Sequence, residues 1–245
     1  MIRTYEELSM NAHPALQTQM YDGWVLRFAN GYTNRANSVN PLYPSTIEVS
    51  SKIDECEKRY GAQGLPAIFK LNEGSDPYID RLLETRGYDL TKRTTVMSLD
   101  LRSGEYATDD CLMADHADDQ WIESFLRFSR LTDPTTQTTA RSIFANVRSP
   151  MVCGRVVVDG ITVACGEAVI ERGHAGLQNI VVDESYRGKG YGRRICESLL
   201  AYAKGMGAHI AYLQVMPVNA AAANLYARLG FGAEYAQWYR VKSRD

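Results

Sequence analysis

The densest chemistry in this sequence lies in one short stretch, Arg187-Gly188-Lys189-Gly190-Tyr191-Gly192. Glycine stands at every second position. With no Cβ in the way, its backbone N–H can close on an oxyanion. The stretch follows an apolar run, Leu177 to Val182, and precedes a helical pattern that begins near Arg193. The first N–H groups of a helix have no internal acceptor, and the helix dipole favours an anion there. Arg187, Lys189 and Arg193 add positive charge. Strand, glycine turn and helix start together make a cradle for a phosphate group.

Spacing decides which phosphate. A magnesium–nucleotide loop needs Gly-Lys followed by Ser or Thr to reach the metal. Here Gly190 follows Lys189, so no hydroxyl is available. A dinucleotide fingerprint reads Gly-x-Gly-x-x-Gly, with an acid about 20 residues on for the ribose. Here the spacing is Gly-x-Gly-x-Gly. The next strand pattern, Ile210 to Val215, ends in Met216-Pro217-Val218-Asn219 without an acid.

A third pattern fits. Asn179 to Gly192 resembles the acyl-CoA-binding motif of the GNAT acetyltransferases, Arg/Gln-x-x-Gly-x-Gly/Ala after a strand; Arg187, Gly190 and Gly192 fill it. Downstream, Asn219, Ala222, Leu225, Tyr226, Arg228, Gly230 and Phe231 are similar to the family ending Asn-x-x-Ala-x-x-Leu-Tyr-x-Lys/Arg-x-Gly-Phe. The resemblance covers residues 110–241 and departs at Glu184, where many relatives carry proline.

The resemblance implies an α/β fold: a mixed, twisted sheet flanked by helices. It implies transfer of an acetyl group from acetyl-CoA, as co-substrate, to a primary amine by direct attack, with no metal. Arg187, Gly188, Lys189, Gly190, Tyr191 and Gly192 would hold the pyrophosphate. Ile180, Val181 and Val182 would offer backbone groups to the pantetheine arm and the thioester carbonyl. Asn219 would either bond the pantetheine or cap the following helix, as Asn does in many proteins. Tyr226 would be the general acid: a phenol of pKa near 10 can protonate a departing thiolate of pKa about 8.5. Glu167 is the candidate base, a carboxylate on an otherwise apolar strand that must be paired or functional; a water chain without a single base is the alternative. Gln178 and Asn179 cannot take a proton at neutral pH, and His174, in the loop Arg172 to Gly176, reads as a surface residue. A different class of protein, an acyl-CoA sensor or scaffold without catalysis, would need the cradle but not Tyr226.

Composition narrows the acceptor. The chain has 245 residues, 45% hydrophobic and 23% charged, with net charge −2. That balance argues against broad nucleic-acid or membrane binding, and favours a small-molecule amine or amino acid as partner; a homodimer is compatible. Cys56, Cys111, Cys153, Cys165 and Cys196 form no CxxC pair and no zinc spacing with histidine, a scatter that suits a reducing cytoplasm. Residues 1–7 lack the apolar core of a signal peptide, and no apolar run reaches 18 residues.

The rest of the chain supplies the frame. Residues 110–245 read in the acetyltransferase order: helices at Asp118–Arg130 and Thr138–Val147, strands Met151–Val158 and Ile161–Glu171 around an Asp159-Gly160 turn, strand Leu177–Val182, helix Arg193–Lys204, strand Ile210–Val215, helix Ala220–Leu229 and a closing strand Tyr235–Val241. Residues 1–102 read as a second unit. It has strands at Trp24–Phe28, Tyr32–Val39, Pro66–Leu71 and Thr94–Leu101, and helices at Thr46–Tyr60, stopped by Gly61, and Pro77–Arg86, stopped by Gly87. Leu82-Leu83-Glu84-Thr85-Arg86-Gly87-Tyr88 resembles a worn copy of Leu225 to Phe231. The first unit is therefore expected to be a degenerate GNAT-like half without a cradle, in a tandem arrangement, with Ser103 to Asp110 as linker. Its cluster Tyr21 to Trp24 and residues 34–43 would line an acceptor pocket or an interdomain contact.

Overall fold

The computed structural model describes residues 1–108 and 111–242. Asp109 and Asp110, the end of the expected linker, lie outside the described residues, as do residues 243–245. The chain runs α1 (Ile2–Ala12), β1 (Gln17–Tyr21), β2 (Trp24–Phe28), β3 (Val39–Pro41), α2 (Val49–Gly61), β4 (Ile68–Asn72), α3 (Pro77–Thr85) and β5 (Tyr88–Asp100). It continues with β6 (Cys111–Ala114), α4 (Asp119–Phe128), α5 (Pro134–Ala145), β7 (Met151–Val158), β8 (Ile161–Glu171), β9 (His174–Val182), α6 (Tyr191–Gly205), β10 (Ile210–Val215), α7 (Ala220–Arg228) and β11 (Gly232–Lys242). It is a mixed α/β fold.

Two compact units emerge: Met1–Thr95 together with the residues from Tyr235 onward, and Val96–Glu234. The division falls within β5, ahead of the segment expected as linker. The end of β11 goes with the first unit because it pairs antiparallel with β4, Trp238 opposite Leu71 and Tyr239 opposite Lys70. Sequence order alone assigns those residues to the second.

In the first unit, β1 and β2 form a hairpin turned by Asp22-Gly23, whose φ angles of 41° and 80° suit a tight turn. β3 pairs antiparallel with β2 and parallel with β4, at Val39 opposite Phe69. One sheet face buries Leu26, Val39, Phe69 and Leu71 against Ile53 and Tyr60 of α2 and Leu83 of α3. The return strand expected over residues 32–39 is not there; only its last residue is in a strand. Residues 29–37 instead wind around the buried Asn37 side chain. Its Oδ1 accepts from Ala29 N–H at 2.7 Å and Gly31 N–H at 3.0 Å, and its Nδ2 donates to Tyr32 O at 2.7 Å. Side-chain bonds thus replace a ladder. Gly61 ends α2 from inside, with Ala62 as cap. Gly87 does stop α3, at φ 80°.

In the second unit β6, β7, β8 and β9 are successively antiparallel, and β9 and β10 are parallel. The expected Asp159-Gly160 turn is present, with φ of 50° and 77°. Arg172-Gly173 makes a second such turn at 50° and 70°, so the expected loop is shorter and His174 begins β9. α6 lies on this sheet through Ile195, Cys196, Leu199, Leu200 and Ala203, all fully buried. Each large aliphatic side chain so buried contributes about 1.5–3 kcal/mol. Glycine permits the close approach: a Cβ on Gly166 would stand 2.5 Å from Ile180, and one on Gly154 would stand 2.7 Å from Ile195.

Two runs of the chain share an order of elements. Each has three antiparallel-paired strands, a helix, a parallel strand, a second helix and a long strand: β1-β2-β3-α2-β4-α3-β5 and β7-β8-β9-α6-β10-α7-β11.

Candidate active site

The site forms where β9 and β10 part company. Their parallel ladder runs from His174 opposite Ile210 to Gly176 opposite Tyr212 and stops, although β9 continues to Val182. Tyr212, at the last rung, lies over its partner: a Cβ on Gly176 would meet its hydroxyl at 2.5 Å. Beyond the fork, Ile180, Val181 and Val182 are half-buried and line a cleft of about 800 Å³. A bulge in β9 sets their orientation. Val181 pairs with Cys165 and Gln178 with Glu167, with a register shift between, and Asn179 takes φ 52°. Two residues of β9 therefore face one of β8, which re-aims the strand end.

The glycine stretch closes one end of the cleft. Gly188 and Gly190 adopt φ of 76° and 86°, where a side chain would be strained. Gly190 is the N-cap of α6 and brings no side chain to that end. Its carbonyl accepts from Arg193 and Arg194 N–H at 3.0 and 3.1 Å. A Cβ on either glycine would enter open space. The helix start is therefore open, as anion binding requires. Arg187, Gly188, Gly190, Tyr191 and Gly192 line the cleft. Lys189 does not; its ammonium lies 5.0 Å over the Tyr186 ring, so it adds charge near the cradle rather than a wall to it.

α7 supplies the opposite side. Asn219 caps it, its Oδ1 accepting from Ala222 N–H at 3.2 Å, and also lines the cleft. Asn219 is therefore a helix cap that also borders the cleft. Tyr226 lines the same cleft with its ring packed at 6.0 Å from Phe231. Among the described residues nothing hydrogen-bonds its hydroxyl. Burial pushes its pKa well above that of a free phenol, with a smaller contribution from Cys196, so the proton stays on oxygen across neutral pH.

Glu167 is placed differently. It is 1% exposed and is not among the residues lining the cleft. Its Oε1 accepts from Asn179 Nδ2 at 2.8 Å, so it sits behind the bulge it helps to hold. Cys153 and Cys165 are buried, and desolvation, then the Glu167 charge, pushes both thiols far up. They are packing residues. Among the described residues no group of three or more His, Cys, Asp and Glu could hold a metal ion, and no helix is long and apolar enough to cross a membrane.

The features sequence reasoning missed are the Asn179 bulge and the Tyr212 ring over Gly176. Neither has a local signature, since each depends on which strand lies alongside.

Comparison with known proteins agrees with this geometry. A family model described as "Probable histone acetyltransferase Rv0428c C-terminal" matches residues 1–240. YobR of Bacillus subtilis (strain 168), described as an uncharacterized N-acetyltransferase, is 30% identical over 247 residues, covering 98% of this chain and 98% of that protein. The probable histone acetyltransferase Rv0428c of Mycobacterium tuberculosis (strain ATCC 25618 / H37Rv) is 28% identical over 233 residues, covering 94% of this chain and 70% of that protein. Among solved structures, a GCN5-related N-acetyltransferase from Kribbella flavida superposes with a TM-score of 0.71 at 16% identity, covering 100% of this chain and 95% of that one. A tandem GNAT protein from the clavulanic acid biosynthesis pathway gives 0.68 at 13%, covering 98% and 88%.

Proposed function

Because the chain belongs to the Rv0428c C-terminal acetyltransferase family, within the GNAT superfamily, we propose that it transfers an acetyl group from acetyl-CoA to a primary amine of a small molecule or amino acid. One observation carries the reading. A single cleft collects an open helix N-terminus with left-handed glycines, a strand edge released from its neighbour, and a protonated phenol. A sensor or scaffold has no use for the phenol.

The chemistry follows from that order. The pyrophosphate takes the N–H groups at the start of α6. The pantetheine arm lies along Ile180 to Val182 in place of a neighbouring strand, and a β9 N–H polarises the thioester carbonyl. The amine nitrogen attacks the carbonyl carbon; the N–C bond forms and the C–S bond breaks. Tyr226 gives its proton to the leaving thiolate. Glu167 acts by fixing the Asn179 bulge, and the ammonium proton leaves through water. The first unit is a degenerate copy that binds no acyl-CoA, and the protein works in the cytoplasm.

Release of CoA thiol, followed against a panel of amines with mass spectrometry of the product, tests the reading. The panel includes amino acids, polyamines, aminoglycosides and a lysine-rich histone peptide, the last because of the name the mycobacterial relative carries. Acetylated product from a small amine supports the proposal. Turnover on the peptide alone would overturn the acceptor class, and binding without turnover on any amine would favour the sensor.

A further inference from the structure

A second, smaller pocket of about 210 Å³ adjoins the cleft, with Arg187 lining both. Arg127 and Arg130 form its other basic walls, and Asp183 and Glu184 its acidic ones. Arg130 stands out by its backbone. It follows the Ser129 cap of α4 at φ 54°, the left-handed position where helices usually place glycine. The turn is closed by Leu131 N–H to Leu126 O at 3.0 Å. A guanidinium is thus kept where the backbone would favour a residue without a side chain, and such outliers point to function.

The charges in the pocket are unevenly committed. Asp183 accepts from Ser185 N–H at 3.0 Å, and Glu184 pairs with Arg130. Arg127 donates to Thr162 O at 3.0 Å, and Arg187 Nε reaches Val182 O at 3.4 Å. Three exposed arginines thus line a space that could hold a phosphate, given that one water takes about 30 Å³ of liquid volume. Planar guanidiniums suit phosphate oxygens.

Resting on the acyl-CoA reading of the cleft, we propose that this pocket binds the 3′-phosphate of CoA. The ribose carrying that group is bonded directly to the pyrophosphate, and Arg187 is the wall common to both sites. Arg130 is the specificity-determining residue, and Glu184 competes with the phosphate for it.

The test compares acetyl-CoA with acetyl-dephospho-CoA, which lacks only the 3′-phosphate, by calorimetry. Wild type should prefer acetyl-CoA by about 10-fold or more, the worth of a charge-assisted hydrogen bond. Arg130→Gly removes the guanidinium and relaxes the backbone, so the fold is kept. It should reduce the preference nearly to one and leave the dephospho affinity unchanged. Glu184→Gln should do the reverse and raise the preference. A merely structural Arg130–Glu184 pair would move both variants the same way, and that result overturns the proposal. Equal binding of the two ligands by wild type also overturns it while the cleft reading stands. Failure of wild type to bind either ligand overturns both.

Discussion

Two helices hold the same place in the two units, each between a parallel pair of strands, and their first turns are built in opposite ways. α2 is sealed. Its N-cap Glu48 accepts from Ser51 N–H at 2.9 Å, and just ahead of the helix Asp22, reaching over from the β1–β2 turn, accepts from Thr46 and Ile47 N–H at 2.9 and 2.8 Å. Hydrogen bonds, that of Ile47 foremost, hold the Asp22 carboxyl far below its ordinary range, and Ser50 and Ser51 lower that of Glu48. The first unit thus supplies its own anions where the second, at Gly190, presents no capping side chain but N–H groups, two left-handed glycines and nearby cations. The second helices differ in the same spirit. Leu83 of α3 stands where α7 has Tyr226, both buried, but only the tyrosine has a proton to give.

The largest effect should come from making α7 resemble α3. Tyr226→Phe keeps the ring and removes the donor, so kcat should fall by about 10²–10⁴-fold with acetyl-CoA affinity nearly constant. Because burial raises the phenol pKa, wild-type Tyr226 does not ionise between pH 6 and 9, and the deficit should persist across that range. The ordinary phenol value would instead predict a deficit that shrinks at the alkaline end. Wild-type kcat in the variant would make Tyr226 a packing residue.

Next comes a substitution that makes α6 resemble α2. Gly190→Asp places a carboxylate at the open N-terminus and strains a backbone at φ 86°. Like charges forced together cost several kcal/mol, so acetyl-CoA should bind on the order of 100-fold more weakly. Calorimetry on a variant whose melting is cooperative checks this, and unchanged affinity would remove the cradle from the account.

Much of the second unit was legible because its signals are local. Gly188 and Gly190 mark a left-handed backbone ahead of a helix, Asp159-Gly160 announces a turn, and the helix around Leu199 shows its period. The first unit was harder. α1 is not legible because its sequence, with Glu6 and Ser9 on the buried side, hides its periodicity; Glu6 is accommodated by Lys70 at 2.6 Å and Tyr235 at 2.8 Å. β1 was missed because no residue in it is fully buried. The clasp of Asp22 on the residues leading into α2 joins positions 24 and 25 apart, and no spacing rule anticipates it. In the site, the candidate base Glu167 was picked for being a carboxylate in an apolar strand, a correct reading of burial that carries no information on which face it lies.

A smaller effect concerns the Asp22 clasp ahead of α2. The Asp22 carboxyl lies below its ordinary value of 3.8 in the folded chain, so its stabilisation is present above about pH 4 and lost as the pH falls further. Asp22→Asn should lower Tm at pH 7, and the gap from wild type should close as both are melted at successively lower pH. A gap independent of pH would mean that the charge is immaterial. The variant should not acquire acyl-CoA binding in the first unit, because residues 46–48 are Thr-Ile-Glu rather than glycines and cations.

The contrast between an open α6 and a sealed α2 is tested most directly by titrating wild-type protein with acetyl-CoA, counting sites by calorimetry and locating them by backbone hydrogen exchange. One molecule should bind per chain, with protection over residues 188–193 and 180–182 and none over 46–51. Two molecules per chain, or protection at the start of α2, would contradict it.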